Sequence, residues 1–224
     1  MPTYAAIAEA FADTGLLVRG GFAANDGDEL PAGPQGRPAG GVVLLGNAGG
    51  ELWSAFSAGR RHEPHPLDEW ARRTVDPLAT RLDARAVYPS DRPWHPFQQW
   101  AMRAEPVAPS PIGLLIHPDY GLWHAYRAAL LLDEVPADLP LRVDRPVPCA
   151  TCVGRPCLHA CPVGAHSATG FAVSACERHL RSDVAPHCME VGCRSRDGCP
   201  VGRDSRFPDE QVAFHQRAFL QSRG

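Results

Sequence analysis

The sequence predicts an α+β domain over about residues 1–140, a small cysteine-liganded domain over about 145–205, and a C-terminal helix over 206–224. Three observations predict this. Helical and strand-like apolar periodicities alternate along the first part. Pro136, Pro140, Pro146 and Pro148 then mark a stiff linker. All 8 cysteines follow, confined to Cys149–Cys199.

Taken in order, Thr3–Thr14 carries apolar residues at helical spacing, and Gly15 ends it. Leu16–Val18 reads as a short strand, and the Gly-, Pro- and Asp-rich stretch Asn25–Gly41 as a surface loop. Val42–Leu45 is continuously apolar, as a buried strand is, and leads through Gly46-Asn47-Ala48-Gly49-Gly50 into a helix over Glu51–Ala58. That turn lacks the G-x-G-x-x-G order of a dinucleotide site, so it reads as a tight turn before a packed helix. Leu67–Leu82 is an amphipathic helix, expected to kink near Pro77. Ala86–Tyr88 is a short strand, Pro96–Arg103 a short helix, Leu122–Leu132 a strand, and Asp209–Leu220 a helix.

Composition bounds the function. A formal net charge of −3 provides no general attraction to nucleic acid or anionic membrane. All 22 basic residues are Arg, so Schiff-base and P-loop lysine chemistry are excluded. Met1–Leu17 has no basic leader and holds Glu9 and Asp13, unlike a signal peptide. No apolar run is long enough for a membrane helix. The expected location is the reducing cytoplasm, where clustered cysteines bind metal more often than they pair.

The cysteine segment reads as two unequal ligand sets. Cys149, Cys152, Cys157 and Cys161 follow the spacing C-x2-C-x4-C-x3-C. Cys176, Cys188, Cys193 and Cys199 form a looser set, and each set ends in Cys-Pro-Val-Gly. Soft thiolates suit iron already bound to sulfide, and eight supply two [4Fe–4S] cubes. The first set resembles the bacterial ferredoxin run C-x2-C-x2-C-x3-C-P, with two residues inserted before Cys157. In that family the fourth cysteine serves the other cluster. The ferredoxin arrangement therefore implies Cys149, Cys152, Cys157 and Cys199 on one cube, and Cys161, Cys176, Cys188 and Cys193 on the other. Three alternatives stand beside it: structural zinc, with His159, His166, His179 and His187 interleaved; disulfides; and one cluster with four spare thiols. Arg178, Arg181, Arg194, Arg196, Arg203 and Arg206 make this segment locally basic. They either dock an acidic redox partner or offset the cluster charge.

His117-Pro118-Asp119-Tyr120-Gly121-Leu122-Trp123-His124-Ala125-Tyr126-Arg127 resembles a segment of the cobalamin-processing CblC proteins. Their fold is nitroreductase-like α+β with a corrin pocket. Epoxyqueuosine reductases look like that fold joined to a two-cluster ferredoxin module, in the order seen here. Cys161-Pro162-Val163-Gly164-Ala165, Cys176, Gly192-Cys193 and Cys199-Pro200 take the places of the reductase cysteines. The cysteine expected between Cys193 and Cys199 is missing, and Cys188 stands in for it. The likeness spans about 110–205, and more weakly 40–60. It implies a nitroreductase/CblC-like domain followed by a ferredoxin-like dicluster domain. It also implies cobalamin or FMN as a further cofactor, with His117, Tyr120, Trp123 and Arg127 beside it. The bland alternative makes His117 a loop residue and pairs Arg127 with Asp119 or Asp133. No match to the reductase's substrate-acid segment is present, and no helical-repeat segment for tRNA follows the clusters.

The reading that follows is an electron carrier with two [4Fe–4S] clusters and a redox partner protein. One alternative is a cobalamin- or flavin-dependent oxidoreductase, the only case that involves tRNA. The other is a zinc-stabilised interaction module.

Overall fold

The computed structural model describes residues 1–184 and 186–223. Contacts divide it into two compact units. The first comprises Met1–Pro106 and Ala125–Asp144, the second Val107–His124 and Arg145–Gly224. The sequence boundary near 140 assigned 107–124 to the first domain; in the structure these residues belong with the cysteines.

In the first unit, α1 (Tyr4–Phe11) leads to β1 (Leu17–Ala23), β2 (Gly41–Ala48) and α2 (Glu51–Gly59). Then come α3 (Pro66–Arg81), β3 (Arg85–Val87) and α4 (Phe97–Ala104). After the short strands β4 (Ala108–Pro109) and β5 (Leu115–Ile116) of the second unit, β6 (His124–Leu132) returns to the sheet. The strand order is β1-β2-β6-β3, with β1 antiparallel to β2 and β3 antiparallel to β6.

Val42–Leu45 in β2 and Ala128–Leu132 in β6 are buried at every position. A strand with no polar alternation is covered on both faces. Helices supply the cover: α1 and α4 pack on β1, and α2 packs on β2. In α4 the buried residues Phe97, Trp100, Ala101 and Ala104 fall on one helical face. In α3, Pro66 sits in the first turn beside Asp68 and Glu69, a favourable start for a helix. The helix runs through Pro77 as one element. The N-terminal N–H groups of α1 are capped from two directions. Thr3 Oγ1 accepts from Ala6 at 3.0 Å, and the Asp138 carboxylate accepts from Tyr4 and Ala5 at 2.6 and 3.1 Å.

β1 is longer than Leu16–Val18 because Arg19-Gly20-Gly21 broke its apolar run. The register shifts between Val18 and Gly21, as at a β-bulge. Arg19 is buried there, and its guanidinium pairs with Glu105 at 2.8 Å. Glu105 also accepts from the Tyr126 hydroxyl at 2.6 Å. A buried cation in a strand thus has its counter-charge at the end of α4.

The second unit is built of short pieces. β4 pairs with β5, and His117 bridges Gly121 in a tight hairpin. β7 (His166–Ser167) pairs with β8 (Gly170–Phe171). The helices α5 (Val173–Leu180), α6 (Pro186–Glu190) and α7 (Arg194–Asp197) precede α8 (Asp209–Gln221), which packs on α6. Leu122 and Trp123, expected to begin the last strand, lie just before it and are buried within the second unit. Among the described residues, no helix is long and apolar enough to cross a membrane.

Candidate metal centre

The eight cysteines are all free thiols. Cys149, Cys152, Cys157 and Cys199 line one cavity, together with Ile116, Leu122, Pro148 and Val201. Burial raises the pKa of Cys149, and the thiols of Cys199, Cys157 and Cys152 raise it further. Burial also raises Cys157, with Cys199 and Cys152 adding to it. Cys199 is raised by burial, opposed by the Val201 N–H, and raised again by Cys152.

Cys161, Cys176, Cys188 and Cys193 gather separately. Cys176 is pushed up to about 11 by burial and then by Cys193, Cys161 and Cys188. Cys188 is raised by burial, then by Cys193 and Cys161. Cys193 is raised by burial, against the N–H groups of Arg196 and Ser195, with Cys161 adding to the rise. The Ala165 N–H donates to Cys161 Sγ at 3.3 Å. Each set therefore takes its cysteines from both halves of the segment.

Among the described residues, no three His, Cys, Asp or Glu side chains stand close enough to hold a single metal ion. Four thiolates sharing one zinc at about 2.3 Å each would lie about 3.8 Å apart. Around a cube each thiolate binds its own iron, so the sulfurs are farther apart. A further observation fits a sulfur-rich occupant. Ser195, two residues beyond Cys193, is wholly buried, and its Oγ has no hydrogen-bond partner in the structure. Gln211, buried in the first turn of α8, likewise has no partner for its side-chain amide. Sequence inspection missed both, because a lone Ser or Gln carries no motif.

The loop after Cys199 packs tightly against the hairpin. A Cβ at Gly121 would strike the Val201 carbonyl, and one at Gly202 would strike the Tyr120 carbonyl. Both glycines have positive φ, 55° and 70°. The second Cys-Pro-Val-Gly run is thus shaped to meet Tyr120-Gly121 backbone to backbone.

The four residues expected beside an organic cofactor separate. His117 is buried, its ring stacked on Tyr120 at 4.5 Å. Its Nδ1 accepts from the N–H groups of Asp119 and Tyr120 at 3.0 and 3.3 Å, which leaves the ring proton on Nε2. Trp123 is only 1% exposed. It meets Phe207 edge-on, with the Arg196 guanidinium 4.2 Å from its ring centroid. That burial leaves no free ring face for a cofactor. Arg127 lies in the first unit, where its Nε donates to Asn47 Oδ1 at 3.2 Å. Neither carboxylate considered for it is its partner: Asp119 pairs with Arg145 and Asp133 with Arg37. Burial lowers the Arg127 pKa to about 10, partly opposed by Asp68, so it remains a cation at neutral pH. Asn47, expected in the glycine turn, is instead buried at the end of β2, and its Nδ2 has no partner in the structure.

The arginines of the cysteine segment are partly committed internally. Arg181 pairs with Glu177, and Arg206 with Asp197 and Asp209. Arg196 donates from Nε and Nη2 to the Leu122 carbonyl.

No protein-family model matches the chain, and no curated protein does. By structure it is similar to CblC, a B12-trafficking protein of C. elegans and homologue of human MMACHC. That likeness has 13% identity over 96% of this chain and 92% of the other, with a TM-score of 0.55. It is also similar to epoxyqueuosine reductase of Streptococcus thermophilus, at 16% identity over 76% of this chain and 51% of the other, TM-score 0.49. A selenomethionine-labelled epoxyqueuosine reductase matches at 15% identity over 78% and 52%, TM-score 0.48. The chain spans about half the length of the epoxyqueuosine reductases it matches. The likeness to CblC shows a shared mixed α+β fold, as the sequence resemblance implied.

Proposed function

We propose that the chain is a ferredoxin-like protein that carries electrons through two [4Fe–4S] clusters and passes them to or from a redox partner protein. One observation carries the reading: the cysteines fall into two groups of four, each drawing on both halves of the segment. Bound clusters supply one-electron redox chemistry. The chain's own part is to hold eight thiolates, exclude water from Cys157, Cys188 and Cys199, and donate N–H groups to sulfur. Because burial raises six of these thiols, loading must displace protons from them. Eight thiols in two groups of four support clusters over a zinc-stabilised interaction module.

Anaerobic purification with metal and sulfide analysis tests this. About eight iron and eight sulfide per chain are expected from two four-iron cubes. Zinc without sulfide would replace the proposal by the zinc module.

A second reading is an oxidoreductase in which the clusters serve a corrin or flavin. Its support is the fold shared with a B12-trafficking protein and the polar pair Arg127–Asn47, where the Asn47 Nδ2 is buried without a partner in the structure. Such a group would supply the reacting centre. Arg127 would hold a carboxylate or carboxamide, with the Asn47 Nδ2 as a second donor. Titration with base-off cobalamin and with FMN, followed by Trp fluorescence and visible absorbance, tests it. No saturable change with either ligand, in protein with intact clusters, removes this reading.

A further inference from the structure

The two cysteine groups lie in different surroundings. The first is walled by carbon side chains: Ile112, Ile116 and Leu122 are buried with Cys157 and Cys199, Leu158 and Val201 pack alongside, and the donors that reach its sulfurs are backbone N–H groups, of Leu158 on Cys157 and of Val201 on Cys199. The cations that act on it, Arg155 on Cys149 and Arg203 on Cys199, are themselves exposed, so water and salt screen them.

The second has polar side chains and a sheltered cation beside its backbone donors. Cys161 Sγ accepts from the Ala165 N–H at 3.3 Å, and His166 Nε2 stands 4.0 Å from Cys193 Sγ. Arg196, which acts on Cys193, is half-buried between the Leu122 carbonyl and the Trp123 ring. Ser195 adds a wholly buried hydroxyl with no partner in the structure. An unmet buried hydroxyl is costly, and a cluster sulfur on the neighbouring Cys193 side would accept a hydrogen bond from it.

Reduction of a cluster adds one negative charge. Hydrogen-bond donors and sheltered cations at its sulfurs stabilise that charge, and an apolar wall does not. We propose that the second cluster, on Cys161, Cys176, Cys188 and Cys193, is held at the higher potential, with Ser195 Oγ as a donor to it. The first cluster, on Cys149, Cys152, Cys157 and Cys199, is then the stronger reductant. This rests on the two-cluster reading. The first cluster's Val201–Gly202 loop is the one packed on Tyr120–Gly121. The stronger reductant therefore stands beside the His117–Gly121 hairpin.

The test is a potentiometric titration of the full chain with dithionite, read by EPR. Each step takes up one electron and breaks no bond. Cys188→Ser and Cys199→Ser identify which signal belongs to which cluster. The second cluster's signal should appear first. Ser195→Ala should lower the reduced-to-oxidised ratio of that cluster about tenfold at fixed potential, about 59 mV for a one-electron couple. It should leave the first cluster's midpoint and the iron and sulfide content unchanged. Should Ser195→Ala load incompletely, His166→Phe, which keeps a ring on Phe171, should shift the same signal in the same direction. The proposal is overturned if the first cluster is reduced first, or if a fully loaded variant leaves the second midpoint unmoved. Eight iron and eight sulfide with the order reversed would sink this inference alone. Absence of sulfide would sink the two-cluster reading and this inference with it.

Discussion

At the scale of single residues, Cys199 is the informative one for the proposed clusters. It ends the sequence set that begins at Cys176, yet it shares a cavity with Cys149, Cys152 and Cys157. Cys199→Ala should therefore damage the cluster of the first three cysteines, and Cys188→Ala the other one. EPR of the reduced single variants decides this; if both variants disturb one and the same signal, the grouping is wrong. Gly121 is the second such residue. Its positive φ and the Val201 carbonyl beside it exclude a side chain. Gly121→Val should cost about 2 kcal/mol or more from backbone strain alone, seen as a lower denaturant midpoint together with loss of the first cluster's signal. A loss of stability with both clusters intact would show that the hairpin does not shape the first site.

At the scale of elements, α1 depends on a residue far along the chain. Asp138 accepts from Tyr4 and Ala5, and these N–H groups hold its carboxyl below the usual carboxylate range. A group whose folded pKa is depressed contributes stability above its unfolded pKa. That contribution is lost as pH falls through the folded value. Exchange of the α1 amides should therefore accelerate as pH falls below about 4, the ordinary Asp value, after correction for intrinsic rates. Asp138→Asn should remove that pH dependence, and an unchanged profile would show the cap to be dispensable. Thr3→Ala should cost about 1 kcal/mol, the ordinary value of a lost N-cap, with the loss read as faster exchange at Ala6. The other elements were readable to differing degrees. α4 matched its expectation within one residue at each end because four large or small apolar residues recur at helical spacing. β1 was underestimated because its continuation carries a charged residue, which its partners Glu105 and the Asn47 carbonyl make tolerable inside.

At the scale of the whole molecule, the corrin or flavin reading is a statement about the first unit. Arg127→Gln removes a half-buried cation whose Nε bonds Asn47. If the first unit holds a corrin or flavin, this variant should weaken cobalamin or FMN binding by at least tenfold, about 1.4 kcal/mol, and leave iron and sulfide unchanged. Equal affinities for wild type and variant would detach Arg127 from any such site.

The sequence by itself determined the alternation of helices and strands, the eight thiols and their unequal spacing. These are local properties: periodicity, turn residues and ligand chemistry need no distant partner to be read. It also carried the His117–Arg127 run, but as one motif. Tertiary structure alone decided that His117, Tyr120 and Trp123 join the cysteine unit while Arg127 joins the sheet. It alone decided that Trp123 is wrapped by Phe207 and Arg196 and has no face to offer. It alone placed the Ser195 hydroxyl, the Gln211 amide and the Asn47 Nδ2 as buried polar groups without partners in the structure. The physical reason is common to these cases. Burial and hydrogen-bond satisfaction depend on which segments meet across long stretches of chain, and no spacing along the sequence records that meeting.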